Sequence, residues 1–322
     1  SRDAEGKITR ITSPFAHEGW DYGYDELKRF TSASNHSSSG HNQTLAYDAF
    51  GNITYNSRVG SYSYGAAGSA RPHAVLQAGN QSYAYDPNGN MVSRNGKALA
   101  WDANNQLAEA EGIRYVYGGD GSRVKKIAVN GQVTITLGHN YEIAPDGVTT
   151  KYVSVAGALV AKNVNNVPFW LHTDHLGSVQ AVTDQNGNEV QRQKYMPYGD
   201  RLETTTSHQE SRGYTGMRQD ENGLFYLNAR YHDPVLGRFV SPDPIMPSSR
   251  LVGFNRYAYA GNDPVNHTDT TGLFFKKMFK GITNYVKNFG KEINRVAAQV
   301  SKVPVIGGLL GAGLSTIGYT MQ

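Results

Sequence analysis

The chain of 322 residues has room for two ordinary domains, and 36 Gly, 21 Tyr and only 18% charged residues describe a turn-rich, tyrosine-rich β chain rather than a helical enzyme. It contains no cysteine, which excludes disulfide and thiolate chemistry and leaves any zinc site to His and carboxylates. The formal charge of +4 is unevenly placed: the 49 residues from Phe274 onward carry seven Lys or Arg against Glu292 alone, a net +6, so the preceding 273 residues sum to −2.

The chain opens on "SRDAEGKITRI", which has no apolar leader core and reads as the middle of something longer. A short phrase then returns in variant form: "YGYDELKRFTSAS" from Tyr22, "LAYDAFGNITYN" from Leu45, "YAYDPNGNMVSRNG" from Tyr83, "LAWDANNQLAEAE" from Leu99 and "YVYGGDGSRVKKI" from Tyr115. The Asp residues of the first four lie 23, 38 and 16 apart, so the period is loose. Each unit reads as a β-hairpin. Alternating Tyr-x-Tyr suits a strand with one packed face, and Phe-Gly-Asn or Pro-Asn-Gly-Asn supplies the Gly and Asn that positive φ requires. One hairpin is unstable alone, but many in series stack and cover one another's apolar faces. Asp25, Asp48, Asp86 and Asp102 also admit a calcium reading, since Asp-x-Asn-Gly runs occur in calcium loops. No run supplies the carboxylate-rich series with a closing Glu, which favours turns.

Further along stand "LHTDHLGSVQAVTDQNGNEVQRQKYMPYG", residues 171–199, and "GYTGMRQDENGLFYLNARYHDPVLGRFVSPDP", residues 213–244. His172 and His175 in the first offer half a metal site, but no third ligand stands at a recognisable spacing, so ordinary hydrogen-bonded histidines are expected. No Gly-Lys-Ser/Thr follows a strand, so there is no phosphate loop. The repeats and these two longer phrases, from about residue 20 to Leu273, resemble the YD-repeat family of Rhs proteins, which includes the C components of insecticidal Tc toxins and, more distantly, the teneurins. The resemblance implies a mainly β fold, a strip of hairpins wound into a hollow shell around a toxic C-terminal segment. It also implies an N-terminal shell portion absent from this chain, a VgrG-type secretion spike and a chaperone, a cognate immunity protein, type VI secretion and delivery into target bacteria.

The same resemblance marks Asp243 in "VSPDPI" and Asp269 in "HTDTTGL" as the pair of an aspartyl-type autoprotease, with Arg230 beside them and the cut at Leu273–Phe274. Two carboxylates held close cannot both ionise cheaply, so one keeps its proton and the other stays charged. The charged one activates water and the protonated one polarises the scissile carbonyl. Because the peptide belongs to the same chain it is presented at high effective concentration, and Gly272 lets the backbone come close. The sequence departs from the family at Thr270, which replaces the usual Pro and so frees an N–H, and at the altered loop 247–253. The competing reading is that both Asp residues only form turns; Asp233, Asp263 and His267 are nearby candidates of lower rank.

After Phe274 the chain changes style. Apolar residues at 274, 275, 278, 279, 282, 285, 286, 289, 293, 296, 297, 300 and 303 define one helical face, with lysines mainly elsewhere. Pro304 then interrupts, and "VPVIGGLLGAGLSTIGY" runs 17 residues without a charge but with five Gly, the low edge of a membrane span. Three readings stand: a membrane-active toxin, a linker to a nuclease-type toxin, or a plug inside the shell. With no His, no Cys and one acid, this piece holds no catalytic constellation, so nucleic acid is not its expected partner. The expected organisation is a YD-repeat β-shell portion over 1–199, a core with the autoprotease over 200–273, and a mainly helical, membrane-acting first part of a released toxin over 274–322. No cofactor or metal is expected. The alternative is a non-cleaving, teneurin-like adhesion scaffold.

Overall fold

The computed structural model describes residues 1–273 except 16, 67, 207–209 and 245–254, with backbone alone at 203–206. The expected helical tail, Phe274 and the altered loop at 247–253 lie outside the described residues. Among the described residues the architecture is almost entirely β, with three single-turn 3-10 helices and no α-helix.

Twenty-one strands, from Arg10–Ile11 to Arg201–Thr206, form one antiparallel meander in which each strand pairs with the next in sequence. The period of two expected from Tyr-x-Tyr is present. Ile113–Tyr117 buries Ile113 and Tyr115 and exposes Arg114 and Val116. The meander passes the expected boundary at 199, since Arg201–Thr206 pairs with Glu189–Tyr195.

The repeat Asp residues form the turns. Asp86 Oδ1 accepts the Asn90 N–H while its carbonyl accepts from Gly89, and Asp25, Asp48 and Asp102 hold Arg29, Asn52 and Gln106 in the same way. These are side-chain turn bonds that free the backbone to reverse. The aromatic residue closing the first strand of each hairpin sits at a register slip, at Tyr24, Tyr47, Tyr64, Tyr85, Trp101 and Tyr117, which is a β-bulge that re-aims its side chain. At five of these six the polar tip then reaches the preceding hairpin. Tyr24 donates to Ile8 O, Tyr47 to Phe30 O, Tyr64 to Ile53 O and Tyr117 to Leu107 O at 2.7–2.8 Å, and Trp101 Nε1 donates to Met91 O at 2.7 Å. A phenylalanine could fill the space but not make the bond.

The segment from Gly213 to Leu273 carries a small sheet of Arg218–Gln219, Phe225–Leu227, Arg230–Asp233 and Arg238–Phe239. It packs across the row of Asp turns. Arg238, Asn255 and Asn262 all donate to the Gly51 carbonyl, Tyr257 donates to Gly89 O at 2.7 Å, and Met91 N donates to Val240 O. Lys7 pairs with Asp263, Arg94 with Asp233 and Arg123 with Asp220. One buried core accordingly runs from Ile8 through Phe30, Ile53, Met91 and Leu107 to Phe225, Phe239 and Val265. The strip also curls, because Arg192 meets Glu18 at 2.6 Å and Tyr198 meets Tyr47 at 3.1 Å, joining its late hairpins to its early ones.

Candidate active site

The site is built on the first residue of strand Arg230–Asp233. Pairing with Phe225–Leu227 on one side and Arg238–Phe239 on the other fixes the Arg230 backbone, and its guanidinium lies 3.5 Å over the Phe239 ring, a stacking that suits this planar cation. Only 3% of Arg230 is exposed, so each donor needs a partner. Nη2 donates to Asp243 Oδ2 at 3.0 Å and to Asp269 Oδ2 at 3.1 Å. Nη1 donates to Arg256 O at 2.9 Å and Nε to Gly272 O. One guanidinium thus holds both expected carboxylates within reach of a single nitrogen and binds the backbone beside the expected cut.

Asp243 is placed by an exchange with Arg256, whose carbonyl accepts the Asp243 N–H at 2.9 Å and whose Nε donates to Asp243 O at 2.6 Å. Asp269 opens a tight turn that leads to Leu273. Its Oδ1 accepts the Leu273 N–H at 3.0 Å. Gly272 has φ of +67°, and a Cβ there would stand 2.5 Å from Leu227 O and 2.8 Å from Arg230 N, so only glycine brings the chain this close. The turn is tied to the neighbouring connection by Asn228 Nδ2, which donates to Thr270 O at 2.7 Å, and by Ala229 N, which donates to Thr271 O at 3.2 Å. The Thr271 hydroxyl lies 3.2 Å from Asp269 Oδ1 and 3.4 Å from Leu273 O.

Burial pushes the Asp269 carboxyl above its usual range, against the pull of the Arg230 cation, and the nearby Asp243 charge adds to the rise. Burial likewise lowers the Arg230 guanidinium from its ordinary value, with the two carboxylates opposing. The site opens onto a cavity of about 620 Å³ whose wall includes Arg230, Arg256, Thr271 and Leu273. Two buried carboxyls on one cation, beside a backbone held by hydrogen bonds and a cavity that can admit water, are the components of acid-base hydrolysis.

All five sequence candidates can thus be placed except Phe274, which lies outside the described residues. Asp233, Asp263 and His267 are employed elsewhere. Asp233 pairs with Arg94 and caps the Val235 and Leu236 amides, and Asp263 holds Lys7, Asn266 and His267. His172 meets the Thr183 hydroxyl and His175 the Val265 carbonyl. Among the described residues no three His, Asp or Glu side chains converge. Sequence reading missed Arg256, Asn228 and Thr271. Asn228 and Thr271 sat inside recognised phrases but with no role marked; Arg256 lay outside them.

A strip of hairpins tied by tyrosine hydroxyls to their predecessors, with a C-terminal segment laid across the turns, defines a YD-repeat β-shell protein. The chain belongs to the teneurin YD-shell family, whose family model, "Teneurin YD-shell", matches residues 1–265. It is 31% identical over 249 residues to "tRNA3(Ser)-specific nuclease WapA" of Bacillus spizizenii, covering 70% of this chain and 11% of that protein. It is 26% identical over 310 residues to Teneurin-1 of Homo sapiens, covering 91% of this chain and 11% of that protein. The crystal structure of TcdB2-TccC3 shares the fold with a TM-score of 0.56 at 19% identity, over 84% of this chain and 18% of that chain. The chain therefore spans about a tenth of the length of the curated relatives it matches.

Proposed function

We propose that this chain is the C-terminal part of a toxin-carrying YD shell and that it cuts itself once, between Leu273 and Phe274. The observation that carries this reading is the double grip of Arg230. The same guanidinium that binds Asp243 and Asp269 also binds Gly272 O, while Asp269 binds Leu273 N, so both sides of the peptide preceding the scissile residue are clamped beside the carboxyl pair. Such fixation supplies the orientation that a bimolecular hydrolysis lacks.

In this reading Asp269, whose carboxyl burial has raised, holds the proton and serves as general acid. Asp243, which shares the Arg230 Nη2 with it, takes a proton from the attacking water. The relative named a nuclease supports a contained toxin as the cargo class. The net +6 and the apolar face of residues 274–322 favour a first segment that acts on anionic membranes, and enclosure keeps that surface from the producer's own membranes. Delivery into target cells by a type VI route, with a spike, a chaperone and an immunity protein as partners, completes the proposal.

The test is intact-mass analysis of the expressed chain beside Asp243→Asn and Asp269→Asn. The wild type is expected to separate into 1–273 and 274–322 and both variants to remain whole, and the released fragment to leak dye-loaded anionic vesicles. A wild type that stays uncut would favour the adhesion-scaffold reading; a cut without leakage would favour the linker or plug.

A further inference from the structure

The geometry points to Thr271 as a further catalytic residue of the proposed self-cleavage, its hydroxyl handing a proton from Asp269 to the scissile carbonyl oxygen of Leu273. This inference rests on the cleavage reading given above and assigns a third side chain to it. The hydroxyl is centred between the two groups, 3.2 Å from Asp269 Oδ1 and 3.4 Å from Leu273 O, and it also accepts from Leu273 N at 3.2 Å. It is the one side-chain group among the described residues that hydrogen-bonds the Leu273 carbonyl.

A hydroxyl has a single proton and two lone pairs, so the state of Asp269 decides which way Thr271 points. With Asp269 ionised, the Thr271 proton is drawn to the carboxylate and the carbonyl receives nothing. With Asp269 protonated, the carboxyl donates to Thr271 Oγ1, and Thr271 is left to donate to Leu273 O. A three-member chain of donors then runs from acid to carbonyl. The turn holds it in place, because Thr271 O and Thr270 O are both bonded to the 228–229 connection and Gly272 lies so close to Leu227 O and Arg230 N that a Cβ would collide with both.

The step balances as follows. The water oxygen bonds to the Leu273 carbonyl carbon and the π electrons move to the carbonyl oxygen. That oxygen takes the Thr271 proton, Thr271 takes the Asp269 proton, and Asp243 takes one proton from the water. A neutral gem-diol results, with Asp269 ionised and Asp243 protonated. The bond from carbon to the Phe274 nitrogen then breaks, that nitrogen receives the Asp243 proton, and one gem-diol proton returns through Thr271 to Asp269. Both carboxyls end as they began.

The experiment is a time course of full-chain cleavage in cell-free synthesis, quenched in denaturant, for wild type, Thr271→Ser, Thr271→Val and Asp269→Asn, with melting curves for each. Wild type and Thr271→Ser are expected to cut at similar rates and Thr271→Val about 10²-fold more slowly, the size of effect that losing one donor to a developing oxyanion carries. The wild-type rate is expected to fall as pH rises through the Asp269 ionisation, and the residual Thr271→Val reaction to lack that limb. Wild-type rates in Thr271→Val, an equal loss in Thr271→Ser, a Thr271→Val pH profile parallel to wild type, or a loss of fold in Thr271→Val would each overturn the role of Thr271 while leaving self-cleavage standing. An uncut wild type would overturn the cleavage reading and this inference with it.

Discussion

Arg230 spends its Nε, Nη1 and Nη2 on four acceptors, two carboxyl and two carbonyl, and no other side chain presents donors in that planar fork. The position of Gly272 follows from it: the Gly272 carbonyl is one of the four acceptors, and the left-handed φ that aims it there leaves no room for a Cβ. Gly272→Ala is therefore expected to abolish cleavage and to lower global stability by more than the about 1–3 kcal/mol of a strained backbone position alone, because its Cβ would also meet the backbone at Leu227 and Arg230. Urea unfolding and mass analysis of the same sample check both halves. At this scale the sequence disclosed Asp243, Asp269 and Arg230 through the family phrases, and Gly272 through its chemistry. Arg256 escaped because two of its bonds use only its own carbonyl, which any residue type supplies, and its Nε reaches a backbone carbonyl 13 residues away, a contact with no spacing pattern. Asn228 escaped because it bonds a carbonyl 42 positions away.

Hairpins, not residues, are the unit of the strip, and the tyrosine link between them is its joint. Tyr64→Phe keeps the ring and deletes the bond to Ile53 O. The expected loss is about 1–2 kcal/mol, since a nearly buried carbonyl is left without its donor; an unchanged urea midpoint would deny the hydroxyl its fastening role. The hairpins themselves were legible from Tyr-x-Tyr and the Gly-Asn turns. The direction of the joint was not, because alternation states which face a side chain occupies and not which neighbouring hairpin its tip reaches. Strands such as Thr149–Val155 and Ala158–Val164 extend the meander without the aromatic-Asp phrase. The turn between them runs through Ala156 and Gly157 and the next through Asn165 and Asn166, all at positive φ, so a reading keyed to the phrase stops short of them.

For the molecule as a whole, stability depends on the seam between the strip and the segment laid over its turns. His232 sits in that seam fully buried, its Nε2 donating to Tyr198 O at 2.8 Å and its ring stacked on Tyr259. Burial pushes its imidazole down to about 4. An unfolded histidine titrates near 6.5, so between these values the unfolded chain binds the extra proton. Stability is then full above about pH 6.5 and falls by on the order of 3 kcal/mol as pH drops to about 4. Urea midpoints from pH 7 to 4.5 should show this slope in the wild type and a shallower one in His232→Gln. Little of the seam could be read beforehand. Its contacts join residues as far apart as Gly51 and Asn262, and single-sequence patterns carry no information across such separations.

The tyrosine joints all face backward along the chain, from Tyr24 to Ile8 and onward to Tyr117 and Leu107. A ribosome delivers residues in that same direction, so each of these hairpins meets an anchor already in place, and Arg230, Asp243 and Asp269 emerge after the wall they rest on. Under the proposed self-cleavage, manufacture order would act as a safety catch: a nascent chain lacking Asp269 would have no means of cutting itself.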